Sequence, residues 1–282
     1  MKKISLYFAL GMFILLACVS EDIFPLVTPA PAATSTANPT QFMVPPEIGA
    51  SGDPQQLVKY LLETNAGCKL PCWWGITPGK TPWRQARQIL EETSIYIDGQ
   101  ESQGDFYAKV GVYLPYPYDF VPSMEHVYRV KNGVVDYIRV YNFDLAPKYV
   151  LSKFLQAYGP PTGIWIRTFA NADLGAQDFL VDLFYQDTGI LIEYRTGKPL
   201  EEIKGKLQNC LIEEMNAPII HLWSPDLQEL SFEDAKQFLD TANLPEPKPL
   251  LDATGMDVET FYETFKEPDT GVCLETPKNL WP

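Results

Sequence analysis

The stretch that decides the fold is Val127-Tyr128-Arg129-Val130-Lys131-Asn132-Gly133-Val134-Val135-Asp136-Tyr137-Ile138-Arg139-Val140. β-Branched and aromatic residues fill both arms, and Asn132-Gly133 separates them. A type I′ turn needs positive φ at both central residues, which Asn and Gly adopt at the lowest cost. The stretch therefore predicts an antiparallel hairpin.

Further strand signals lie on both sides of this hairpin. Runs rich in aromatic and β-branched residues cover 106–114, 163–169, 179–185, 190–194 and 219–223. Asp187-Thr188-Gly189 forms a turn signal between the third and fourth of these runs. Because short turns rather than long crossovers join the runs, the pairing is predicted to be antiparallel.

Helical patterns fill the intervening segments. Asp53-Pro54 supplies an N-cap and a proline at the first helical position, and four aliphatic residues between Leu57 and Leu62 then fall on one face. Similar patterns predict helices over about 82–90, 147–158, 231–240 and 257–266. The predicted fold class is α+β, with antiparallel sheet meanders packed against helices.

The middle of the chain repeats a helix, a Gly/Pro break and a meander, which predicts two tandem units at 51–143 and 144–195 in a body of residues 51–282. Gly79-Lys80-Thr81 and Tyr158-Gly159-Pro160-Pro161 form the pieces of a run in which Gly and Thr precede a helix and Gly-x-Pro follows it. In these pieces the chain resembles the helix-plus-meander units of β-lactamase-inhibitor-protein-like folds and of small outer-membrane-assembly lipoproteins. Such folds mostly serve binding. Residues 196–282 are predicted to form a helical, acidic C-terminal extension.

The N-terminus reads as an export signal. Met1-Lys2-Lys3 is basic, and the apolar run 4–17 is shorter than the roughly 20 residues of a membrane span. Leu15-Leu16-Ala17-Cys18 resembles the lipobox of bacterial lipoproteins. The resemblance implies that the signal peptide 1–17 is removed, that Cys18 is diacylated on sulfur, and that the protein is anchored in the membrane at the extracytoplasmic face of the bacterial envelope.

Residues 18–50 are predicted to be a tether between this anchor and the body. Six prolines are mixed there with Ala, Thr and Ser, and such a segment buries too little apolar surface to fold. Farther along, Cys72-Trp73-Trp74-Gly75-Ile76 with Pro78-Gly79 resembles uncharacterised bacterial surface lipoproteins.

Four cysteines remain beyond Cys18, and an even count outside the cytoplasm favours disulfides. Three pairings are possible, and we favour Cys68 with Cys72 and Cys210 with Cys273. The second bond would tie the acidic extension to the body. A zinc site or a redox pair is the alternative, but a Cys-x-x-x-Cys spacing matches the usual motif of neither.

Two aromatic clusters are the candidate binding residues. Trp73 and Trp74 are adjacent, and in an extended chain neighbouring side chains point in opposite directions, so one ring could be exposed. Tyr113, Tyr116 and Tyr118 lie in a proline-held loop, where tyrosine offers a large contact area at a low entropic cost. For both clusters we favour core packing, and a binding surface is the alternative.

Charge and motif content exclude several classes. The net charge of −14 gives no basic face, so we predict no nucleic-acid partner. The two histidines, His126 and His221, lie in predicted strands and are interpreted as structural. The chain lacks the hydrolase Gly-x-Ser-x-Gly, metalloprotease His-Glu-x-x-His and phosphate-loop motifs, and we predict neither a metal nor a cofactor.

The function predicted from the sequence is a non-enzymatic binding module on a surface lipoprotein, with a protein or glycan partner. A secreted hydrolase acting on polysaccharide is the first alternative, because that chemistry needs only two well-placed carboxylates. A structural envelope component is the second. An open cleft with two facing carboxylates would favour the hydrolase.

Overall fold

The computed structural model describes residues 53–102, 104–113, 124–141, 147–171, 176–195, 201–210, 218–239, 244–268 and 271–281. The helices are α1 Pro54–Thr64, α2 Trp83–Glu91, α3 Leu151–Tyr158, α4 Phe232–Ala235, α5 Leu250–Thr254 and α6 Val258–Phe265. The strands are β1 Ser94–Ser102, β2 Asp105–Val112, β3 Met124–Lys131, β4 Val134–Tyr141, β5 Gly163–Asn171, β6 Ala176–Tyr185, β7 Ile190–Arg195, β8 Glu201–Ile203, β9 Lys206–Asn209, β10 Ile219–Trp223, β11 Lys248–Pro249 and β12 Leu274–Pro277.

The predicted α+β class with an antiparallel sheet is confirmed. Nine strands form one sheet in the order β1-β2-β3-β4-β10-β7-β6-β5-β11, and each neighbouring pair is antiparallel. The hairpin predicted around Asn132-Gly133 joins β3 to β4, and these two residues have φ of 52° and 78°. The second meander, β5 to β7, lies on the far side of β10.

The two faces of the sheet are covered differently. One face packs against α1, α2, α3 and α6 in a continuous apolar core, to which β3 contributes every second residue from Met124 to Val130. On the opposite face a smaller cluster joins Trp223 and Phe184 to Phe232 of α4 and to Leu239. The helix predicted from Ser231 begins at the expected N-cap but ends at Ala235, where a 3₁₀ turn over Lys236–Phe238 continues the chain.

Strand β10 is the element that makes the two meanders one sheet. Ile220 pairs with Val140 of β4 on one side and with Ile192 of β7 on the other. Four of its five residues are buried, because Ile220 and Leu222 face the helices while His221 and Trp223 lie on the opposite face. A strand from the C-terminal part of the chain thus completes the core between the two meanders.

A second, three-stranded sheet in the order β12-β9-β8 carries the predicted C-terminal disulfide. β8 and β9 are joined by Lys204-Gly205, whose φ values of 53° and 77° are both positive. Cys210 follows β9, Cys273 precedes β12, and the two are bonded with their Cα atoms 4.0 Å apart. The predicted disulfide between Cys68 and Cys72 is also present.

Asn65 organises the loop that links α1 to α2. Its side-chain amide is buried and donates hydrogen bonds to the carbonyl oxygens of Cys68 (3.0 Å) and Cys72 (2.7 Å). Its Oδ1 accepts a hydrogen bond from the Trp74 backbone N–H at 2.8 Å. Its φ of 53° also ends α1 in the left-handed conformation, so one residue stops the helix and holds both ends of the Cys68–Cys72 loop.

Within the described ranges, every helix is too short or too polar to cross a membrane.

We predict that Asn65→Gly lowers the free energy of unfolding by about 3 kcal/mol or more, because it leaves three backbone groups without partners at about 1–3 kcal/mol each. Glycine keeps the positive φ, so the loss reports on the hydrogen bonds. Urea unfolding of the full chain measures it. Asn132→Gly is the matched control, since Asn132 has nearly the same φ but is exposed and should change stability by less than about 1 kcal/mol. Equal losses in the two variants would contradict this role of Asn65.

Candidate functional site

Both rings of the Trp73-Trp74 pair are fully buried, which agrees with core packing and leaves neither ring as an exposed binding surface. The chain is not extended there. Trp73 and Ile76 exchange two backbone hydrogen bonds of 2.9 Å, and Trp74 and Gly75 between them have φ of 54° and 82°, as in a type I′ turn. The turn brings the two indoles together, with centroids 5.4 Å apart and planes inclined by 19°. The pair therefore belongs to the core and offers no surface to a ligand.

The two histidines are buried as well. His126 contacts the edges or faces of both indoles, with centroids 5.5 Å from Trp73 and 4.9 Å from Trp74, and its Nδ1 is 3.2 Å from the Tyr128 hydroxyl. His221 Nδ1 is 2.7 Å from the Tyr137 hydroxyl. Burial lowers the pKa of each imidazole to about 3, so both are neutral at physiological pH. This geometry agrees with the interpretation of both residues as structural.

The tyrosine loop is only partly described. Tyr113 is half-buried beside the core, and its backbone N–H donates to the Thr93 carbonyl at 3.1 Å. Tyr116 and Tyr118 lie outside the described residues. Their proposed role in binding stays a prediction.

A buried charged cluster crosses strands β5, β6 and β7. Asp182 and Glu193 are register partners on β6 and β7, and the guanidinium of Arg167 on β5 forms an ion pair with Glu193. Burial raises the pKa of Asp182 well above its ordinary value, and the neighbouring Glu193 carboxylate raises it further. Burial also raises the pKa of Glu193, although Arg167 opposes that shift. The two carboxyls therefore resist carrying two negative charges together.

A groove of about 400 Å³ lies where β4 begins and β10 ends. Three segments meet there: the β3–β4 turn, the loop after β10, and the loop before α2. The lining consists of Gly79, Lys131, Asn132, Val134, Asp136, Trp223, Ser224, Leu227 and Gln228. The volume falls in the range of roughly 300–1,000 Å³ that is typical of small-ligand sites.

Backbone contacts hold the walls of the groove in place. The Gly79 N–H donates to the Val135 carbonyl at 2.7 Å, and the Leu227 and Gln228 N–H groups both donate to the Ser224 carbonyl. A Cβ on Gly79 would lie 2.6 Å from the Ser224 Cβ, and its φ is 78°. Glycine at this position therefore lets the two loops touch.

The charged side chains in and beside the groove are paired with one another. Lys131 Nζ is 3.5 Å from Asp105 and 3.9 Å from Asp136. Asp136 accepts two hydrogen bonds from Arg129, from Nη2 at 2.8 Å and from Nε at 3.0 Å. Beside the groove, Lys80 is 3.8 Å from Asp226. The site consequently presents little uncompensated charge.

Several uncharged polar groups in the lining remain available. Trp223 is only 2% exposed, and its indole Nε1–H has no hydrogen-bond partner within the described ranges. The side chains of Asn132, Ser224 and Gln228 form no hydrogen bond to any other described residue. A buried N–H without a partner is costly, so a ligand or solvent acceptor at this point would be stabilising.

The sequence contained only part of the signal for this groove. Asn132-Gly133 was recognisable as a turn, and Trp223 as the end of a strand, but about ninety residues separate them. They meet because β10 inserts beside β4, which no local pattern predicts. Residues that are brought together by strand pairing over such a distance form no motif along the sequence.

The described residues do not offer a metal site: among them, no three His, Cys, Asp or Glu side chains are grouped as a metal ion would need. The four body cysteines are bonded in pairs, and the histidines are packed among aromatic rings.

No protein-family model, curated protein or solved structure matches this chain. The function has to be derived from the groove and its surroundings. The resemblances carried by the lipobox and by the helix-plus-meander pattern remain expectations.

We predict that Asp182→Asn is more stable than the wild type at pH 8 and that this difference shrinks toward pH 4. Above about pH 4 an unfolded aspartate is ionised while folded Asp182 keeps its proton, so the wild type loses stability as the pH rises. Thermal melts across this range test the prediction, since about 1 kcal/mol shifts the melting temperature by about 2–4 °C.

Asparagine keeps the shape of Asp182 and a hydrogen-bond donor toward Glu193. The titration of His126 and His221 acts in both proteins and cancels in the difference, although by itself it lowers stability as the pH falls below about 6.5. A difference between the two proteins that does not depend on pH would show that Asp182 is ionised in the folded state.

Proposed function

We propose that this chain is an exported, lipid-anchored protein whose folded body is a non-enzymatic binding module, with the groove at Asn132, Trp223 and Gln228 as its ligand site. The observation that carries this proposal is the concave groove of about 400 Å³, whose lining includes Trp223, a buried residue with an unpartnered Nε1–H. Buried polar groups are normally paired, and this one lies among further uncommitted donors and acceptors.

The chemistry of the described residues favours binding over hydrolysis. Polysaccharide hydrolysis needs two carboxyl groups that flank a bond of the substrate. Asp182 and Glu193 do face each other, but Asp182 is fully buried, Glu193 is 8% exposed, and Glu193 is engaged by Arg167. In the groove, the carboxylate of Asp136 is held by Arg129. Neither arrangement leaves a free acid and base on two sides of a substrate.

The proposed address rests on the N-terminal sequence, and the two disulfides support it. Disulfides persist in oxidising compartments outside the cytoplasm. Two or three acyl chains at Cys18 would anchor the protein stably, where a single chain binds only marginally. The proline-rich segment 18–50 would then hold the body away from the membrane, which suits a site that meets partners from outside.

We predict that fragment-sized molecules bind at the groove. Biosynthetic 5-fluorotryptophan gives six fluorine signals, one for each tryptophan, and the loss of one signal in Trp223→Phe assigns Trp223. In ¹⁹F NMR of the full chain, a diverse fragment library should shift the Trp223 signal more often than those of Trp73 and Trp74. These two indoles are also buried without partners but lie in the core, so they serve as internal controls.

Fragments that shift no signal, or shift all six alike, would overturn the groove as the ligand site. Such a result would favour a structural envelope component. Shifts confined to a tryptophan other than Trp223 would place the binding surface elsewhere on the body.

We predict that Cys18 is the N-terminal residue of the mature chain and is acylated. Mass spectrometry of the membrane-extracted protein should show a lipid-modified cysteine, and Cys18→Ser should release the chain from the membrane fraction. Cys273→Ser is the control, because it removes a cysteine from the C-terminal disulfide without touching the anchor. An unmodified N-terminus produced by cleavage at another position would contradict the lipidation.

A further inference from the structure

We propose that the ligand of the groove is a neutral saccharide, held by hydrogen bonds from Asn132, Trp223, Ser224 and Gln228 against an apolar wall of Val134 and Leu227. This inference rests on the proposed function and specifies its ligand class.

The ion pairs in the lining disfavour ligands that need a strong ion pair of their own. Both charged residues of the lining are already engaged, since Lys131 lies between Asp105 and Asp136 and Asp136 is gripped by Arg129. An anionic ligand would have to displace two carboxylates from Lys131, and a cationic one would have to displace Arg129. A neutral ligand leaves these pairs intact.

The uncharged polar groups of the lining favour a ligand that both donates and accepts hydrogen bonds. The Trp223 indole can only donate, whereas the amides of Asn132 and Gln228 and the hydroxyl of Ser224 can donate and accept. Sugar hydroxyls match this mixture, because each is a donor and an acceptor. Sugar hydroxyls can pair directly with the amide groups. The Nε1–H of Trp223 is covered in the structure, so a hydroxyl oxygen would accept from it after a shift of that side chain.

One wall of the groove is apolar. Leu227 is 66% exposed, more than any other exposed large hydrophobic residue among those the structure describes. It borders the groove beside half-buried Val134. The C–H face of a sugar ring can cover such a small apolar surface. Burying this apolar surface removes it from water and favours binding.

Peptide recognition fits the same surface less well. Addition of a peptide strand needs a free sheet edge, but β4 and β10 are each paired on both sides. Docking of a helix needs a long apolar groove, and recognition of a charged motif needs uncompensated charge. None of these features is present where β4 begins and β10 ends.

The test measures binding of soluble glycans to the full chain in zwitterionic micelles, which contain no sugar. The neutral panel is lactose, maltose, cellobiose and N,N′-diacetylchitobiose, followed by an array of neutral glycans. The comparison probes are digalacturonic acid and end-capped neutral tripeptides. We expect at least one neutral saccharide to shift the Trp223 fluorine signal and to leave the Trp73 and Trp74 signals in place.

Variants then tie the binding to the named groups. The double change Asn132→Gly with Gln228→Ala should weaken the saccharide about tenfold or more, because it removes two hydrogen-bonding side chains worth about 1 kcal/mol each. Glycine at 132 preserves the positive φ of the turn. Gln88→Ala, at an exposed position of α2, is the matched control and should leave the affinity unchanged.

The outcomes separate this inference from the proposed function. Tripeptides that shift the Trp223 signal when no saccharide does would overturn the saccharide assignment and leave the binding function standing. A saccharide whose affinity survives the double change would overturn the site. Digalacturonic acid that binds better than every neutral glycan would overturn the charge argument. If no neutral glycan shifts the Trp223 signal, the saccharide inference is overturned. The fragment experiment decides the binding function independently.

Discussion

The pairing of β10 between β4 and β7 is the constraint on which the rest of the structure depends. Its backbone completes hydrogen bonds on both sides, so the meander β1–β4 and the meander β5–β7 become one nine-stranded sheet. Its alternating side chains serve both faces: Ile220 and Leu222 enter the main core, and Trp223 enters the cluster around Phe184 and Phe232. The groove also depends on this pairing. Residues 224–228 follow β10, and the position at which that strand ends places Ser224 against Gly79.

Much of this architecture was predictable because local chemistry determines it. The Asn132-Gly133 turn, the Asp53 cap with Pro54, and the meander of β5 to β7 are all present. Strand β1 was missed because it is an edge strand with a largely exposed, polar sequence and no clean alternation. The three-stranded sheet was missed because its strands are four residues or shorter, too short to show an alternating pattern.

The site was harder to predict than the fold, and the Trp73-Trp74 pair shows why. The inference that neighbouring rings diverge holds for extended chain, but the backbone turns at Trp74 and Gly75. That turn is held by Asn65, whose carbonyl oxygen Oδ1 accepts from the Trp74 N–H, and nine residues separate the two. A hydrogen bond between a helix C-cap and a distant turn leaves no periodic pattern, so the exposure of either ring could not be derived from sequence alone.

The use of aromatic residues in the body is consistent with the proposal that the groove binds its ligand through amides and a hydroxyl. Aromatic residues make up 13% of the chain, yet each aromatic side chain whose burial the structure describes is buried or half-buried. Stacked and tilted ring contacts account for them: Trp165 on Phe232, Phe184 on Trp223, and Tyr137 on Phe238. A sheet covered on its second face by short helices needs large flat side chains to fill the gap, because α4 supplies only four residues. The rings are therefore committed to holding the layers together. The part of Trp223 left uncommitted is its Nε1–H, a single directional donor at the point where β10 ends, and the residues best placed to join it are the small polar side chains of the adjoining turns.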